Sequence, residues 1–197
     1  FVRGIILRKA SDTASDTANT RKWRQDALAA FKKAVEYDDE NWEAYNLIGV
    51  SLTELGDSIA LEYFKTATSK FPDNQEIKYW NGWSLRNFGH YEEANDTYSE
   101  AAQMDSASYW TFLAYSDLGD MYKDISLEPD RYNTAINYYS NALACDTTAF
   151  ETYAKRGDAY AQNKQYQLAE ADYRKALKLE TNYEPAIEGL NLIAGKR

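Results

Sequence analysis

The sequence predicts an all-α solenoid, a series of helical hairpins running along 197 residues and closed by a C-terminal capping helix. Two registers and one absence predict it. Ala27, Ala60, Ala94, Ala135 and Ala169 are each followed four residues later by an aromatic (Phe31, Phe64, Tyr98, Tyr139, Tyr173) and seven later by another alanine (Ala34, Ala67, Ala101, Ala142, Ala176). Upstream, a glycine recurs with a large residue three positions on: Gly49 with Leu52, Gly82 with Leu85, Gly119 with Tyr122, Gly157 with Tyr160. Residues three, four and seven apart share one face of a helix, so small residues meet large ones where two helices approach closely. No period-2 run that would mark a strand is present. The unit is about 34 residues, too small to bury both its faces alone, so each copy needs neighbours.

In chain order, residues 1–41 predict a partial or irregular first hairpin. Its apolar start, FVRGIIL, places Gly4 three before Leu7, and the polar low-complexity run SDTASDTANT forms a long connection to a second helix beginning near Trp23. Residues 42–74 form the next hairpin, with Asn41 as the cap of the helix at Trp42 and Pro72 closing the unit. Residues 75–108 hold the most regular copy, with Phe88-Gly89 at its turn. In 109–149 the spacing from Ala101 to Gly119 is 18 where other units have 15, which adds nearly one turn to the start of a first helix. Tyr122 to Ala135 spans 13 where others span 9, so four residues lengthen the hairpin turn around Asp124 to Arg131. Residues 150–183 form the last full hairpin. In 184–197, Pro185 fits the first turn of a single helix whose Ile187, Leu190 and Ile193 cover the end of the stack.

With these small-residue registers, the turns Leu55-Gly56 and Phe88-Gly89, the Tyr-x-x-Ala runs at Tyr91 to Ala94 and Tyr166 to Ala169, and Phe71-Pro72, the chain resembles the tetratricopeptide repeat (TPR) family from Trp23 onward. The resemblance implies a right-handed superhelical scaffold that holds other proteins, not a reaction. Some members resemble one another in a basic clamp of lysine, asparagine and arginine that grips an acidic chaperone tail. Here aspartates occupy several of those places, which points away from such a tail.

Apolar residues make up 44% and aromatics 15%, ample for a continuous core, and the seventeen tyrosines are expected to pack at its ridge with hydroxyls in water. The net charge of −9 is uneven: residues 1–33 carry eight Lys/Arg against three Asp, and the acidic remainder would repel a phosphate backbone, which excludes a nucleic-acid platform. Cys145, the lone cysteine, permits no internal disulfide, suits a reducing, cytoplasmic compartment and is expected as a small core residue. No membrane span is predicted, and the start at Phe1 suggests an excerpt or a processed product. Chemistry is sparse. His90, the only histidine, falls in a turn, and no phosphate loop, zinc-protease motif or nucleophile elbow occurs, so no enzyme, cofactor or metal is expected.

What remains is the face of the first helices. If Tyr45, Ile48 and Leu52 meet the core, the positions one further along turn toward a concave groove. They give Asn46 and Val50, then Tyr79, Trp83 and Arg86 with Trp80 beside them, then Asp120 with Asp117 adjacent, then Asp158 with Lys155 adjacent. Aromatics beside carboxylates fit a protein or peptide segment with apolar or basic residues. The expected function is therefore a non-enzymatic protein-interaction scaffold. A self-associating structural module, or the interaction domain of a larger enzyme, is the alternative.

Overall fold

The computed structural model describes residues 1–12 and 17–196, and among these it contains eleven α-helices and no strand. They divide into two compact units, Phe1–Thr97 and Tyr98–Arg197. The first holds α1 (Val2–Asp12), α2 (Thr17–Tyr37), α3 (Trp42–Glu54), α4 (Ile59–Lys70), α5 (Gln75–Asn87) and the opening half of α6 (Tyr91–Met104). Here α1 pairs with α2 and α3 with α4, α2 packs on α3, and α5 lies against both α3 and α4. The second unit holds the rest of α6, then α7 (Tyr109–Asp124), α8 (Arg131–Cys145), α9 (Phe150–Gln162), α10 (Tyr166–Leu179) and α11 (Glu184–Ile193). In it α7 pairs with α8 and α9 with α10, α8 packs on α9, and α11 closes on α9 and α10.

The small-to-large register of the sequence becomes a ring seated on a glycine. In the first unit a Cβ added to Gly4 would lie 2.5 Å from the ring of Phe31, and one on Gly49 would lie 2.6 Å from Phe64. In the second, Gly119 stands in the same relation to Tyr139 at 2.5 Å and Gly157 to Tyr173 at 2.8 Å. Gly189 of α11 presses on the other side of Tyr173, so that ring is clasped by two helices. All four rings are at most 1% exposed. Alanines fill the remaining close approaches, with Ala60, Ala67, Ala135, Ala142, Ala169 and Ala176 fully buried.

Local chemistry sets the helix ends. Asn41, Asn74 and Ser108 each accept a hydrogen bond from the backbone N–H three residues on, which satisfies one of the orphan donors at the starts of α3, α5 and α7. The three extra residues before Gly119 lengthen α7 at its start, to 16 residues where α3, α5 and α9 have 13. The four extra residues after Tyr122 produce a six-residue turn, 125–130, in which Leu127 is 93% exposed. Across α8, α9 and α10, Arg156 is held by Asp172 through two hydrogen bonds of 2.7 and 2.9 Å and by Ser140 at 3.0 Å, a planar fork matched to a carboxylate.

Two expectations are corrected. The second helix of the first hairpin begins at Thr17, not near Trp23, because once a helix is nucleated each further residue adds a hydrogen bond at small cost. The polar run expected as a loop therefore lies partly in α1 and α2, and its centre, 13–16, is outside the described residues. Cys145 is exposed, since it is the last residue of α8 and falls away from the side that buries Ala142 and Leu143; its Sγ sits 3.4 Å from the Asn141 carbonyl.

Three of the hairpin turns carry a residue in the left-handed region: Gly56 at φ 75°, Gly89 at φ 83° and Lys164 at φ 62°. Lysine has a Cβ that crowds the following carbonyl there, whereas glycine does not. Lys164→Gly is expected to stabilise the protein by about 0.5 to 1 kcal/mol after the entropy that glycine adds to the unfolded chain. Urea denaturation checks this, and a lower midpoint than wild type would contradict it.

Candidate binding site

In the first unit the candidate face is built by α3 and α5. Asn46, Val50 and Tyr79 do not look into an open groove: they are 3%, 1% and 6% exposed. One position along a helix is a rotation of about 100°, which carries these residues from the second helix into the seam where α3 meets α5. There Val50 joins Phe64, Ala67 and Ile77 in the core, the Asn46 amide donates to Glu76 at 3.0 Å, and the hydroxyls of Thr53 and Ser84 share a hydrogen bond of 2.8 Å. Trp80 and Trp83 are only half buried. They pack against that core with their rings edge to face at 5.4 Å, and Tyr79 meets Trp80 edge-on at 5.2 Å. Arg86, one turn on from Trp83, is also half buried.

Glu76 braces this aromatic group. Burial pushes its carboxyl above the ordinary range; hydrogen bonds from Trp80 and Asn46 oppose that shift, and the charge of Glu43 adds to it.

In the second unit the carboxylates are answered from within. The expectation that tyrosine hydroxyls reach water is corrected at three buried rings, because a phenol taken into the core needs an acceptor. Tyr98 donates to Asp117 at 3.2 Å, Tyr139 to Asp120 at 2.7 Å, and Tyr173 to Asp158 at 2.8 Å. Lys155 adds an ion pair to Asp120 at 2.8 Å, joining α9 to α7. Burial, reinforced by these neighbouring carboxylates, pushes the Tyr139 and Tyr173 hydroxyls far above their usual range, so both stay protonated donors. Asp158 is pushed up chiefly by burial, with the Tyr173 hydrogen bond and the charge of Lys123 opposing.

Asp158 also lines a cavity of about 230 Å³ within the second unit, together with Lys123, Asp124, Tyr132, Gln162 and Leu192. The sequence reading reached Asp158 but not Asp124, Tyr132, Gln162 or Leu192. Tyr132 carried a signal, since it stands three before Ala135 as Tyr91 and Tyr166 stand before Ala94 and Ala169. Leu192 carried none, because it lies off the Ile187, Leu190, Ile193 side of α11. His90 is exposed in its turn, with Nδ1 3.2 Å from Glu93.

The sign of the Glu76 shift yields a prediction. A carboxyl whose folded pKa is raised favours folding in its protonated form, and that contribution is lost as pH rises through the folded pKa. Glu76→Gln keeps an acceptor for Asn46 without the charge. It is expected to stabilise the protein at pH 7 by a few tenths of a kcal/mol, water screening considered, with the gain disappearing below the ordinary carboxylate range. Melting temperatures across pH 3 to 8 check this; a gain constant with pH would contradict it.

Comparison with known proteins agrees with this architecture. Among curated proteins, the mitochondrial import receptor subunit TOM34 of Homo sapiens is 29% identical over 128 residues, covering 62% of this chain and 40% of its own length. A probable UDP-N-acetylglucosamine–peptide N-acetylglucosaminyltransferase, SPINDLY of Hordeum vulgare, is 28% identical over 158 residues, covering 77% of this chain. The chain spans only 16% of that protein's length. The crystal structure of YrrB, described as a TPR protein with an unusual peptide-binding site, shares the fold with a TM-score of 0.65 at 17% identity, over 95% of this chain and 92% of its own. Family models described as Tetratricopeptide repeat match residues 21–58, 58–109 and 150–183. The chain belongs to the tetratricopeptide repeat family.

Proposed function

We propose that the chain is a non-enzymatic protein-interaction module that holds an extended segment of a partner, rich in apolar and basic residues, against its first helices. The observation that carries the reading is the half-buried pair Trp80 and Trp83 on α5. Two large rings meet edge to face beside Tyr79 and Glu76, and both are only half buried. Rigid aromatics with low side-chain entropy are the usual anchors of an interface. Asn46, Val50 and Tyr79 position this anchor from the seam behind it, and Arg86 lies one turn further along α5. In the second unit Asp117 and Asp120, with Lys155, serve mainly to hold helices together, whereas Asp158 borders a cavity together with Asp124. The TPR relatives support an interaction role, TOM34 by its description as a receptor subunit and YrrB by its peptide-binding site. Among the described residues, no helix is long and apolar enough to cross a membrane.

A second reading, an interaction segment serving a larger enzyme, is favoured by the similarity to the SPINDLY transferase, of which this chain matches a small part.

The test is an array of synthetic dodecapeptides graded in charge and hydrophobicity. Peptides combining arginine or lysine with leucine or phenylalanine are expected to bind, and acidic ones are not. Trp83→Ala, with its fold verified by circular dichroism, is expected to weaken the best peptide by about 2 kcal/mol or more. Binding that ignores Trp83 would overturn the reading.

A further inference from the structure

We infer that the 230 Å³ cavity of the second unit is a pocket for one cationic side chain, an arginine or lysine of the bound segment; this rests on the interaction role proposed above and names the residue type that the site reads. The volume lies below the roughly 300 to 1,000 Å³ of pockets that enclose a whole small molecule, so it suits a single side chain.

Its charge favours a cation. Lys123 and Asp124 end α7, and Ala161 and Gln162 end α9, so two helix C-termini with their partial negative charge face this space. Two carboxylates, Asp124 and Asp158, line it, and Asp120, on the same helix as Asp124, accepts from the Tyr139 hydroxyl at 2.7 Å. The lysines beside them are engaged, Lys155 with Asp120 at 2.8 Å and Lys123 with Asp124 at 2.9 Å. Arg131 is engaged too, donating to the Ser126 carbonyl and the Tyr132 hydroxyl, both at 2.8 Å. Asp158 is answered by the neutral Tyr173 hydroxyl and by the charge of Lys123, itself paired, so an incoming ammonium or guanidinium would complete the balance.

The walls fit the rest of such a side chain. Leu192, 60% exposed on α11, and Ala161 offer apolar surface for an aliphatic stem. Tyr132 adds an aromatic wall, on which the resident Arg131 guanidinium lies 4.7 Å from the ring centroid.

The experiment titrates the full chain with Nα-acetyl-arginine amide, and in parallel with the neutral Nα-acetyl-citrulline amide, by ¹H–¹⁵N NMR. Arginine amide is expected to saturate shifts at Asp158, Gln162 and Leu192, and citrulline amide is not. Asp158→Asn, which keeps an acceptor for Tyr173, is expected to weaken binding roughly fivefold, and Lys123→Gln to strengthen it by a similar factor. A purely structural role for these residues would not move affinity in opposite directions. Equal binding of citrulline, shifts confined elsewhere, or both variants unchanged would overturn the inference. Peptides that depend on Trp83 while arginine amide leaves the pocket untouched would refute the pocket alone. Saturation of the pocket with no peptide bound would support it and refute the scaffold reading.

Discussion

The contact on which everything else depends is an aromatic ring laid over a helix glycine. At Gly4, Gly49, Gly119 and Gly157 the space that a Cβ would occupy is filled by Phe31, Phe64, Tyr139 and Tyr173. Removing the Cβ lets the two helices of a hairpin close until a large ring touches backbone, and the ring then excludes water from the seam. Glycine in a helix interior costs roughly 1 kcal/mol relative to alanine, so its use at these positions is justified by the packing it permits. The same contact fixes rotation. Once the glycine faces its ring, the residues one position on are turned toward the neighbouring first helix.

That rotation explains what the sequence could and could not tell. The glycine and aromatic registers were legible because they sit at fixed spacings on single helices, as were the Asn41 cap, the added turn at the start of α7 and Pro185 in α11. The direction of Asn46, Val50 and Tyr79 was not, because burial there depends on a second hairpin rather than on the helix that carries them. The Phe-to-Tyr change carried information of its own. At Gly4 and Gly49 the next residue is Ile5 or Val50 and the ring is phenylalanine; at Gly119 and Gly157 it is Asp120 or Asp158, and the ring is tyrosine whose hydroxyl meets the carboxylate. Ring polarity and carboxylate position thus form a matched pair, which satisfies a phenol that burial would otherwise penalise.

The pairing also reassigns the acidic residues. A row of aspartates on first helices reads as a surface for basic ligands, yet Asp117 and Asp120 are drawn into tyrosine hydrogen bonds and, for Asp120, an ion pair with Lys155. Their negative charge is largely spent inside the protein. What stays available lies where packing is interrupted: the half-buried tryptophans of α5 in one unit, and in the other the cavity where α7, α9 and α11 leave Asp158 accessible. Leu192 and Tyr132, which shape that cavity, belong to different helices from Asp158, so tertiary structure alone brings them together.

The central claim, that a ring seated on glycine holds the hairpins of Gly4, Gly49, Gly119 and Gly157, is tested most directly by a double-mutant cycle on Gly119 and Tyr139, measured by urea denaturation. In the wild-type background Gly119→Ala should destabilise by about 1 to 3 kcal/mol, because the new methyl would stand 2.5 Å from the Tyr139 ring. In a Tyr139→Leu background, where a smaller and more adaptable side chain can yield, most of that cost should vanish and the better helix propensity of alanine should emerge. If Gly119→Ala instead stabilises the wild type by about 1 kcal/mol, as it would at an uncrowded helix position, the contact does not hold the hairpin.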